Sequence, residues 1–396
     1  MLSTAEALAK LLNLAPLPEG ESVPLAKADS RILLRDVVAG RDQPPFAASA
    51  MDGYAVRASE AVEGARLTVV DEAAAGHRAD LALPPGAAIR IFTGAPVPDG
   101  SDTILIQENT GRCGNQITVT EAPPLGDYIR PAGGDFASDF TLTAPRRLSP
   151  REVALLAAMN CAEVRVARRP VVALIPTGDE LVLPGQNPGP DQIVSSNNYG
   201  LAAMLARAGA LPRLCPIARD SRESLLAALD AAEGADIVVT LGGASVGDHD
   251  LVADVLGEAG LTLDFYKVAM RPGKPLMAGR IHDKMMIGLP GNPVSAMVCG
   301  EIFLRPVIER MLGLPVRGPH LRQAKLARPI TRNGPREHYM RAVVMPTETG
   351  FPVVEIFENQ DSSRLATLAQ ANALVVRAPD APALDEENTV LYMSLD

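Results

Sequence analysis

The sequence predicts a multidomain protein of α/β and β architecture, organised around a doubly wound α/β domain. In residues 170–318, short apolar runs alternate with helical patterns, which is typical of that fold class. Residues 43–130 are rich in glycine and proline and contain short strand-like runs, so they are predicted to form a β-rich domain. In residues 319–396 the helical patterns fade and short strands follow, which indicates a small β-barrel-like domain.

Composition and charge exclude several classes of protein. The chain has 396 residues and a net charge of −10, which argues against general nucleic-acid binding. Its four cysteines are far apart and form no Cys-x-x-Cys pair, so neither a zinc site nor a disulfide framework is indicated. No apolar run reaches membrane-spanning length, and the N-terminus has no basic region followed by an apolar one. We therefore expect a cytoplasmic protein without membrane or nucleic-acid partners.

Two helices are predicted on either side of the β-rich domain. The first covers residues 3–14 and begins with a capping box of Ser3 and Glu6. The second begins at Ser149, with Pro150 in its first turn. We expect these helices to pack together, so that the β-rich segment is an insertion in a helical domain. The predicted domains are 1–42 plus 131–169 (helical), 43–130 (β-rich), 170–318 (α/β) and 319–396 (β).

Periodicity and capping residues assign the elements of the last two domains. Helices are predicted over residues 198–208, ending at Gly209, and over 220–232, with Asp220 and Glu223 as a capping box. Strands of the α/β domain are predicted over residues 171–175, 214–217, 237–241 and 286–289. Strands of the C-terminal domain are predicted over residues 339–345, 353–357, 374–376 and 390–393.

The stretch after the strand over residues 237–241 carries the strongest chemical signal. Three glycines, Gly242, Gly243 and Gly247, are followed by Asp248 and Asp250 and then by a helical pattern. Glycines let successive N–H groups converge on an anion, and a helix N-terminus adds partial positive charge. Carboxylates beside such a loop would repel a phosphate unless a cation such as Mg²⁺ bridges them. The alternative interpretation is a tight turn whose aspartates cap the next helix.

Other polar loops also follow predicted strands. They carry Glu180, Lys274 and Asn292, and Asn292 is followed by Pro293 at a predicted helix start. Ligands of doubly wound domains bind at the carboxyl ends of the strands, so these side chains are expected at one edge of the sheet with Asp248. The sequence therefore predicts an anion and metal site at this edge.

Six motifs in order along the chain resemble those of the molybdopterin molybdenumtransferase family, which includes the MoeA proteins and the gephyrin E domain. They cover residues 49–55 (Ser-Ala-Met-Asp-Gly-Tyr-Ala), 93–96 (Thr-Gly-Ala-Pro), 177–181 (Thr-Gly-Asp-Glu-Leu), 242–248 (Gly-Gly-Ala-Ser-Val-Gly-Asp), 272–275 (Pro-Gly-Lys-Pro) and 289–293 (Leu-Pro-Gly-Asn-Pro). The resemblance extends over essentially the whole chain. It implies four domains, an α/β domain of the molybdopterin-binding type and a homodimer.

The resemblance also implies an activity, a cofactor and partners. The family inserts molybdate into adenylated molybdopterin in a Mg²⁺-dependent reaction that releases AMP. Transient contacts with molybdopterin adenylyltransferase and with molybdoenzyme chaperones are expected in addition to the homodimer. Splitting a pyrophosphate needs charge neutralisation and an oriented nucleophile, which agrees with the carboxylates and cations of the predicted sheet edge.

Candidate site residues follow from the motifs and the loop chemistry. The catalytic candidates are Asp52, Asp135, Glu180, Asp248 and Lys274. The candidate Mg²⁺ ligands are Glu180, Asp248 and Asp250. The candidates for binding substrate or anion are Gly242, Gly243, Ser245, Gly247, Arg271, Asn292, Ser295 and Ser362. Arg271 stands where many relatives have lysine, and the loop around Ser362 matches the family only loosely.

Each candidate has a simpler interpretation, and the function has alternatives. Asp52 and Asp135 could serve turns, Asp250 could be only a helix cap, and Glu180 and Lys274 could be solvated surface charges. A molybdopterin adenylyltransferase or a CinA-like nucleotide pyrophosphatase would use a related α/β domain. The adenylyltransferase is typically little more than the α/β domain, so residues 1–169 and 319–396 argue against it. A non-catalytic scaffold is the third hypothesis, and the retained carboxylates and Lys274 argue against it.

Overall fold

A computed structural model describes residues 1–243, 251–316, 318–348 and 350–395, with the backbone alone for 251–254. The predicted fold class is confirmed: the described chain contains a doubly wound α/β sheet, a separate β-rich unit and a closed C-terminal barrel. The division into four domains at the residue numbers given above remains a prediction. No helix in the described ranges is both long and apolar enough to cross a membrane.

The first 169 residues fold into two helices and many short strands. In chain order these are α1 (Thr4–Leu14), β1 (Gly20–Pro24), β2 (Ile32–Leu33), β3 (Val37–Val38), β4 (Ala48–Ser49), β5 (Gly53–Val56), β6 (Arg66–Ala73), β7 (Ala87–Ile91), β8 (Thr103–Ile106), β9 (Thr110–Cys113), β10 (Gln116–Val119), β11 (Ile129–Arg130), β12 (Thr141–Leu142), β13 (Arg146–Arg147), α2 (Pro150–Ala158) and β14 (Glu163–Ala167). The strands β5 to β10 form one sheet in the order β8-β5-β7-β6-β10-β9. A second sheet, β1-β14-β2-β13, pairs strands from before this unit with strands from after it.

The caps of α1 and α2 are confirmed, but the predicted packing between these helices is wrong. Ser3 with Glu6, and Ser149 with Glu152, form complete capping boxes. The buried face of α1, which includes Leu11, belongs to the core of the α/β domain. Leu156 of α2 belongs to a different core, which it shares with β1, β2 and β14. Caps determine where a helix starts but contain no information about which element covers its apolar face.

The α/β domain alternates strands and helices as predicted. Its elements are β15 (Val171–Pro176), β16 (Leu181–Val182), β17 (Ile193–Val194), α3 (Asn197–Ala208), β18 (Leu211–Leu214), α4 (Arg222–Ala231), β19 (Ile237–Leu241), α5 (Leu251–Glu258), β20 (Leu261–Tyr266), β21 (Met270–Arg271), β22 (Met277–Ile281), β23 (Lys284–Leu289), α6 (Pro293–Cys299), a π-helical turn (Gly300–Leu304) and α7 (Arg305–Met311). The main sheet has the order β18-β15-β19-β23-β22-β20. The first four strands are parallel, while β22 pairs antiparallel with both neighbours.

The α/β sheet is covered by helices on both faces, so alternate side chains of β15 pack into two different cores. Val172 and Leu174 share a core with α3 and α6, whereas Ala173 and Ile175 share another with α4. Both sets are buried, so the strand is apolar throughout, as expected for a parallel sheet covered on both faces.

Two assignments within this domain are wrong. The strand expected over residues 214–217 is β18, which ends at Leu214. β18 lies at the edge of the sheet and is half-exposed, so it has no continuous apolar run that would mark it. The cap of α4 is Ser221, whose hydroxyl accepts from the N–H of Ser224, and not Asp220 with Glu223.

The C-terminal strands close into a barrel, and one strand of the α/β domain joins them. The elements are β24 (Leu321–Leu326), β25 (Glu337–Met345), β26 (Val353–Ile356), α8 (Leu365–Gln370), β27 (Ala373–Arg377) and β28 (Thr389–Ser394). β27 pairs with both β28 and β25, which closes the barrel. β21 pairs with β25 and places Arg271 opposite His338. The barrel is therefore attached to the α/β domain beside a predicted site residue.

Gly53 provides a test of the packing of the β-rich sheet. A Cβ atom at this position would overlap the Leu105 carbonyl oxygen and lie 2.9 Å from the Ile106 Cα. We expect Gly53→Ala to lower the free energy of unfolding by about 1–3 kcal/mol, measured by urea titration with circular dichroism. The control is Gly111→Ala, because a Cβ atom there meets no atom within 4 Å. Equal stability of the two variants would contradict this packing argument.

Candidate functional site

The loops after β15, β19 and β23 converge on one cleft of about 890 Å³, here called the sheet-edge cleft. The predicted residues that line it are Glu180, Gly242, Gly243 and Asn292. The polar residues that line it without having been predicted are Thr177, Ser195, Ser196, Asn197, Asp220 and Ser363. The expected convergence at the carboxyl ends of the strands is therefore observed for Glu180 and Asn292, but Lys274 does not line the cleft.

Gly242 is required because the loops approach closely. Its N–H donates to the Leu289 carbonyl at 3.1 Å, which ties the end of β19 to the end of β23. A Cβ atom on Gly242 would lie 2.8 Å from Thr177 Oγ1 and 2.9 Å from the Thr177 carbonyl oxygen. Its φ of 105° also disfavours other residues. The rest of the predicted loop, including Ser245, Gly247, Asp248 and Asp250, lies outside the described residues.

Glu180 lies on a loop that is fixed by an arginine. Arg219 Nη1 donates to the carbonyl oxygens of Gly178, Asp179 and Leu181 at 3.2, 2.9 and 2.9 Å. These contacts hold the backbone on both sides of Glu180, and its carboxylate lies beside Gly178. Sequence reasoning missed Arg219, since nothing in its neighbourhood along the chain marks it as a clamp for a loop about 40 residues earlier.

Two helix N-termini face the sheet-edge cleft. α3 starts at Asn197, whose side-chain amide donates to the Gly291 carbonyl at 2.7 Å. α6 starts at Pro293 after Asn292, and the Asn292 side chain makes no capping hydrogen bond. Each start adds partial positive charge to the cleft, which favours a negatively charged ligand. Ser295, the third residue of α6, is buried and does not line the cleft.

The loop before α8 contributes a serine next to the predicted one. The N–H of Val294 donates to the Ser362 carbonyl at 3.1 Å, so Ser362 binds α6 through its backbone. Ser363 lines the cleft. Lys274 is exposed and is absent from the lining, whereas the next residue, Pro275, is part of it.

Arg271 lines a second cavity of about 690 Å³ between the α/β domain and the barrel, here called the barrel cavity. Asn333, His338, Gln360 and Arg377 also line it. The Nη1 atom of Arg377 is buried and has no hydrogen-bond partner among the described residues. The lining therefore combines several donors for an anion with two carboxylates, Glu358 and Asp361.

His338 is neutral at physiological pH because of this environment. Burial, which is the largest cause, and the positive charges of four arginines, Arg271, Arg336, Arg341 and Arg377, together lower its pKa to about 4. A positive charge on the His338 imidazole would be repelled by these guanidinium groups. Nothing in the sequence around His338 predicts this role, because the arginines come from β21, β25, β27 and the turn before β25.

Asp52 and Asp135 lie outside both cavities described above. Asp52 Oδ1 accepts hydrogen bonds from the N–H and the hydroxyl of Thr93, both at 2.8 Å, and these bonds lower the pKa of Asp52. The positive charge of Arg90 acts in the same direction. Asp135 is exposed. Neither aspartate lines the sheet-edge cleft or the barrel cavity, so the described part of one chain does not bring the two predicted groups together.

The described residues contain no group of three His, Cys, Asp or Glu side chains arranged to hold a metal ion. Two of the three predicted ligands, Asp248 and Asp250, fall outside the described ranges. The third, Glu180, shares the cleft lining with the carboxylate of Asp220. The described part of the cleft thus offers two carboxylates, a donor set that a hard cation would accept together with phosphate oxygens.

Comparison with known proteins gives consistent matches along the chain. Residues 2–160 match the MoeA N-terminal region (domain I and II), residues 173–310 a probable molybdopterin binding domain, and residues 323–395 the MoeA C-terminal region (domain IV). A molybdopterin molybdenumtransferase from Nostoc is 37% identical, with 95% of this chain and 88% of that relative covered. A molybdopterin molybdenumtransferase 2 from Mycobacterium tuberculosis is 38% identical, with 89% and 90% covered.

The solved structures agree with the sequence relatives. A molybdopterin biosynthesis MoeA protein from Pyrococcus horikoshii has a TM-score of 0.84 at 28% identity, covering 100% of this chain and 99% of that chain. A second structure of a MoeA protein from the same organism has a TM-score of 0.79 at 26% identity and covers both chains fully. The likeness therefore includes the arrangement of all described units.

The buried His338 predicts a pH dependence of stability. Its pKa is about 4 in the folded chain and near the ordinary value of 6.5 in the unfolded chain, so between these values the unfolded state binds the extra proton. Stability should fall as pH decreases from about 6.5 to 4, by up to about 3 kcal/mol from this residue. His338→Gln should reduce this loss, measured by urea unfolding at several pH values. The control is His77→Gln, at an exposed position. An unchanged pH profile in His338→Gln would contradict the assignment.

Proposed function

The chain belongs to the molybdopterin molybdenumtransferase (MoeA) family, and from this we propose that it inserts molybdenum during molybdenum cofactor biosynthesis. The substrates are molybdate and adenylated molybdopterin, and the products are the molybdenum cofactor and AMP. The observation that carries the proposal is the sheet-edge cleft, in which glycine backbone, two helix N-termini and the carboxylate of Glu180 lie together. This combination suits a pyrophosphate accompanied by a cation.

Water is the nucleophile in this hydrolysis, and the cleft supplies the charge neutralisation that pyrophosphate cleavage needs. The N–H groups at the start of α3 orient the phosphate oxygens, and the partial positive charge at the starts of α3 and α6 stabilises the negative charge that develops on them. Glu180, with Asp220 beside it and with Asp248 and Asp250 outside the described ranges, would hold Mg²⁺. When bound, Mg²⁺ neutralises the phosphate oxygens and polarises the bond that is cleaved. Arg219 keeps the Glu180 loop in place for this task.

Molybdate is assigned to the barrel cavity. Arg271 and Arg377 line this cavity, and Lys274 is exposed close by along the chain. Their charge-assisted hydrogen bonds would hold the tetrahedral oxyanion. The buried Arg377 Nη1, which has no partner among the described residues, gains an acceptor when the oxyanion binds. Arg271 offers a planar fork of donors where lysine would offer a point charge.

The remaining carboxylates are assigned to a second chain. Asp52 is held in its ionised form by Thr93, yet it lies outside the cleft of its own chain. In a two-fold homodimer both composite sites are equivalent. We place Asp52 and Asp135 of one chain at the sheet-edge cleft of its partner.

Two other assignments belong to the proposal. The enzyme acts in the cytoplasm, with transient contacts to molybdopterin adenylyltransferase and to molybdoenzyme chaperones. An adenylyltransferase or a CinA-like pyrophosphatase is disfavoured because the family match also covers residues 2–160 and 323–395. A scaffold without chemistry is distinguished from the enzyme by the assay below.

The assay follows AMP release from adenylated molybdopterin in the presence of molybdate and Mg²⁺. Glu180→Gln should reduce the rate at least about tenfold, because a neutral amide is a poorer ligand for a hard cation. Excess EDTA should abolish the activity of the unaltered protein. The matched control is Glu163→Gln, which alters an exposed glutamate of β14. Full activity of the Glu180 variant, or full activity in EDTA, would contradict the role given to this carboxylate.

Subunit mixing tests the composite site. Asp52→Ala and Glu180→Ala homodimers should each be nearly inactive, because both of their sites carry a lesion. In a mixed dimer one site carries both lesions and the other carries none. After joint unfolding and refolding, about half of the dimers are mixed, so recovery of about a quarter of the original activity is the expected ceiling.

Native mass spectrometry provides the control for this experiment by confirming that mixed dimers have formed. Mixed dimers without recovered activity would show that both carboxylates serve a site within one chain. Dependence of the recovered activity on the fraction of mixed dimers would support the shared site.

A further inference from the structure

A third cavity lies at the opposite edge of the α/β sheet from the sheet-edge cleft. It has a volume of about 370 Å³ and is here called the junction cavity. Its lining includes Arg169, two residues before β15, and Arg207, near the end of α3. It also includes Arg31 and Arg147, which belong to the segments that pair as β2 and β13 beside it. The cavity therefore lies between the N-terminal part of the chain and the start of the α/β domain, away from the residues of the proposed reaction.

Two of these arginines use only part of their donor capacity on the protein. Arg147 donates to the carbonyl oxygens of Ser30 and Ala208 at 3.1 and 2.8 Å. Arg169 donates to Gly209 and Ala210. These bonds fix the guanidinium groups at the end of α3, as expected for cations at a helix C-terminus. They leave further N–H groups of both arginines without a protein acceptor in the described part of the chain.

Arg207 is exposed and differs from these two arginines in its partners. The Arg207 guanidinium makes no hydrogen bond or ion pair with the residues that the structure describes, although it lines the cavity. Arg31 is mostly buried and has one partner carboxylate, Glu21, outside the cavity lining. The cavity thus brings together a free guanidinium and three that are held in fixed positions.

The charge in this cavity is not balanced by the protein. Four guanidinium groups line it, but Asp29 is the only carboxylate in the lining. Burial and the nearby positive charge of Arg31 both lower the pKa of Arg169, so the cluster destabilises its own charged form. This excess of positive charge occurs in a chain whose net charge is −10, so it is a local focus for an anion.

We propose that the junction cavity binds a phosphate group, either as inorganic phosphate or as a phosphate monoester. Guanidinium groups bind phosphate oxygens through paired, charge-assisted hydrogen bonds. Several guanidinium groups around one cavity therefore favour a phosphate dianion over a chloride ion, which has a single charge and no pair of oxygen acceptors. A bound phosphate would tie Arg207 of α3 to Arg31 and Arg169. Because α3 begins at Asn197 in the sheet-edge cleft, the anion would brace the far end of a helix that lines the proposed active site.

Isothermal titration calorimetry with inorganic phosphate and, separately, with AMP tests the proposal on the full chain. Arg207→Glu should raise the Kd for phosphate at least about tenfold, and Arg207→Gln should raise it less, because only the first change adds a repelling charge. The matched control is Arg151→Glu, which makes the same charge change at an exposed position on α2, outside the cavity lining. Thermal unfolding without phosphate checks that each variant is folded.

The outcomes of this experiment test the junction cavity independently of the proposed reaction. Weaker phosphate binding in Arg207→Glu, with the Arg151→Glu control unchanged, supports the junction cavity whether or not the chain releases AMP in the activity assay. AMP binding that is weakened by the same variant would identify a monoester as a ligand. Phosphate binding that is equal in all variants, or absent in the unaltered protein at millimolar concentration, would overturn the proposal.

Discussion

The close approach of three strand ends is the constraint on which the site depends. Thr177 after β15 donates its N–H to the Leu241 carbonyl at 3.0 Å, and Gly242 after β19 donates to Leu289 at 3.1 Å. These bonds continue the parallel ladder one step beyond the strands and leave no space for a side chain on Gly242. Because the three loops leave the sheet from nearly one point, the starts of α3 and α6 and the carboxylate of Glu180 all border one cleft. The chemistry of the cleft is thus a consequence of sheet geometry.

The barrel completes this arrangement through a buried arginine. Arg341 is 1% exposed, and its guanidinium donates to the carbonyl oxygens of Asn359, Asp361 and Arg364. A buried guanidinium is tolerated only when its donors are satisfied, so the loop over residues 359–364 must follow the path that presents these oxygens. That path places Ser363 in the sheet-edge cleft and Gln360 in the barrel cavity. The loop therefore depends on the barrel for its position and contributes to both cavities.

Local sequence signals predicted those features that local interactions determine. The capping boxes of α1 and α2, the end of α3 at Gly209 and the strand before Gly242 all follow from residues a few positions apart. The errors have a common cause, which is that the deciding partner is distant along the chain. Leu11 of α1 packs on the α/β domain, Arg219 holds a loop that precedes it by about 40 residues, and β18 is defined by its register with β15. The motifs predicted which loops form the sheet-edge cleft. Ser363 and Asp220 line the cleft because of tertiary contacts, and no sequence motif indicates these contacts.

The separation of the carboxylates has an electrostatic consequence. Two carboxylates, Glu180 and Asp220, border the cleft in the described part of the chain, and a pyrophosphate adds further negative charge. Placing Asp52 there as well would increase the repulsion between these negative charges. Thr93 stabilises the ionised form of Asp52 with two hydrogen bonds, so protonation does not relieve that repulsion. In the proposed composite site, a divalent cation and the arginines of the barrel cavity are then the available positive charges that could offset the negative charge of these carboxylates and the pyrophosphate. The proposed cation and the proposed delivery of Asp52 by a second chain are therefore linked, because each additional carboxylate at the cleft would increase the dependence on bound positive charge.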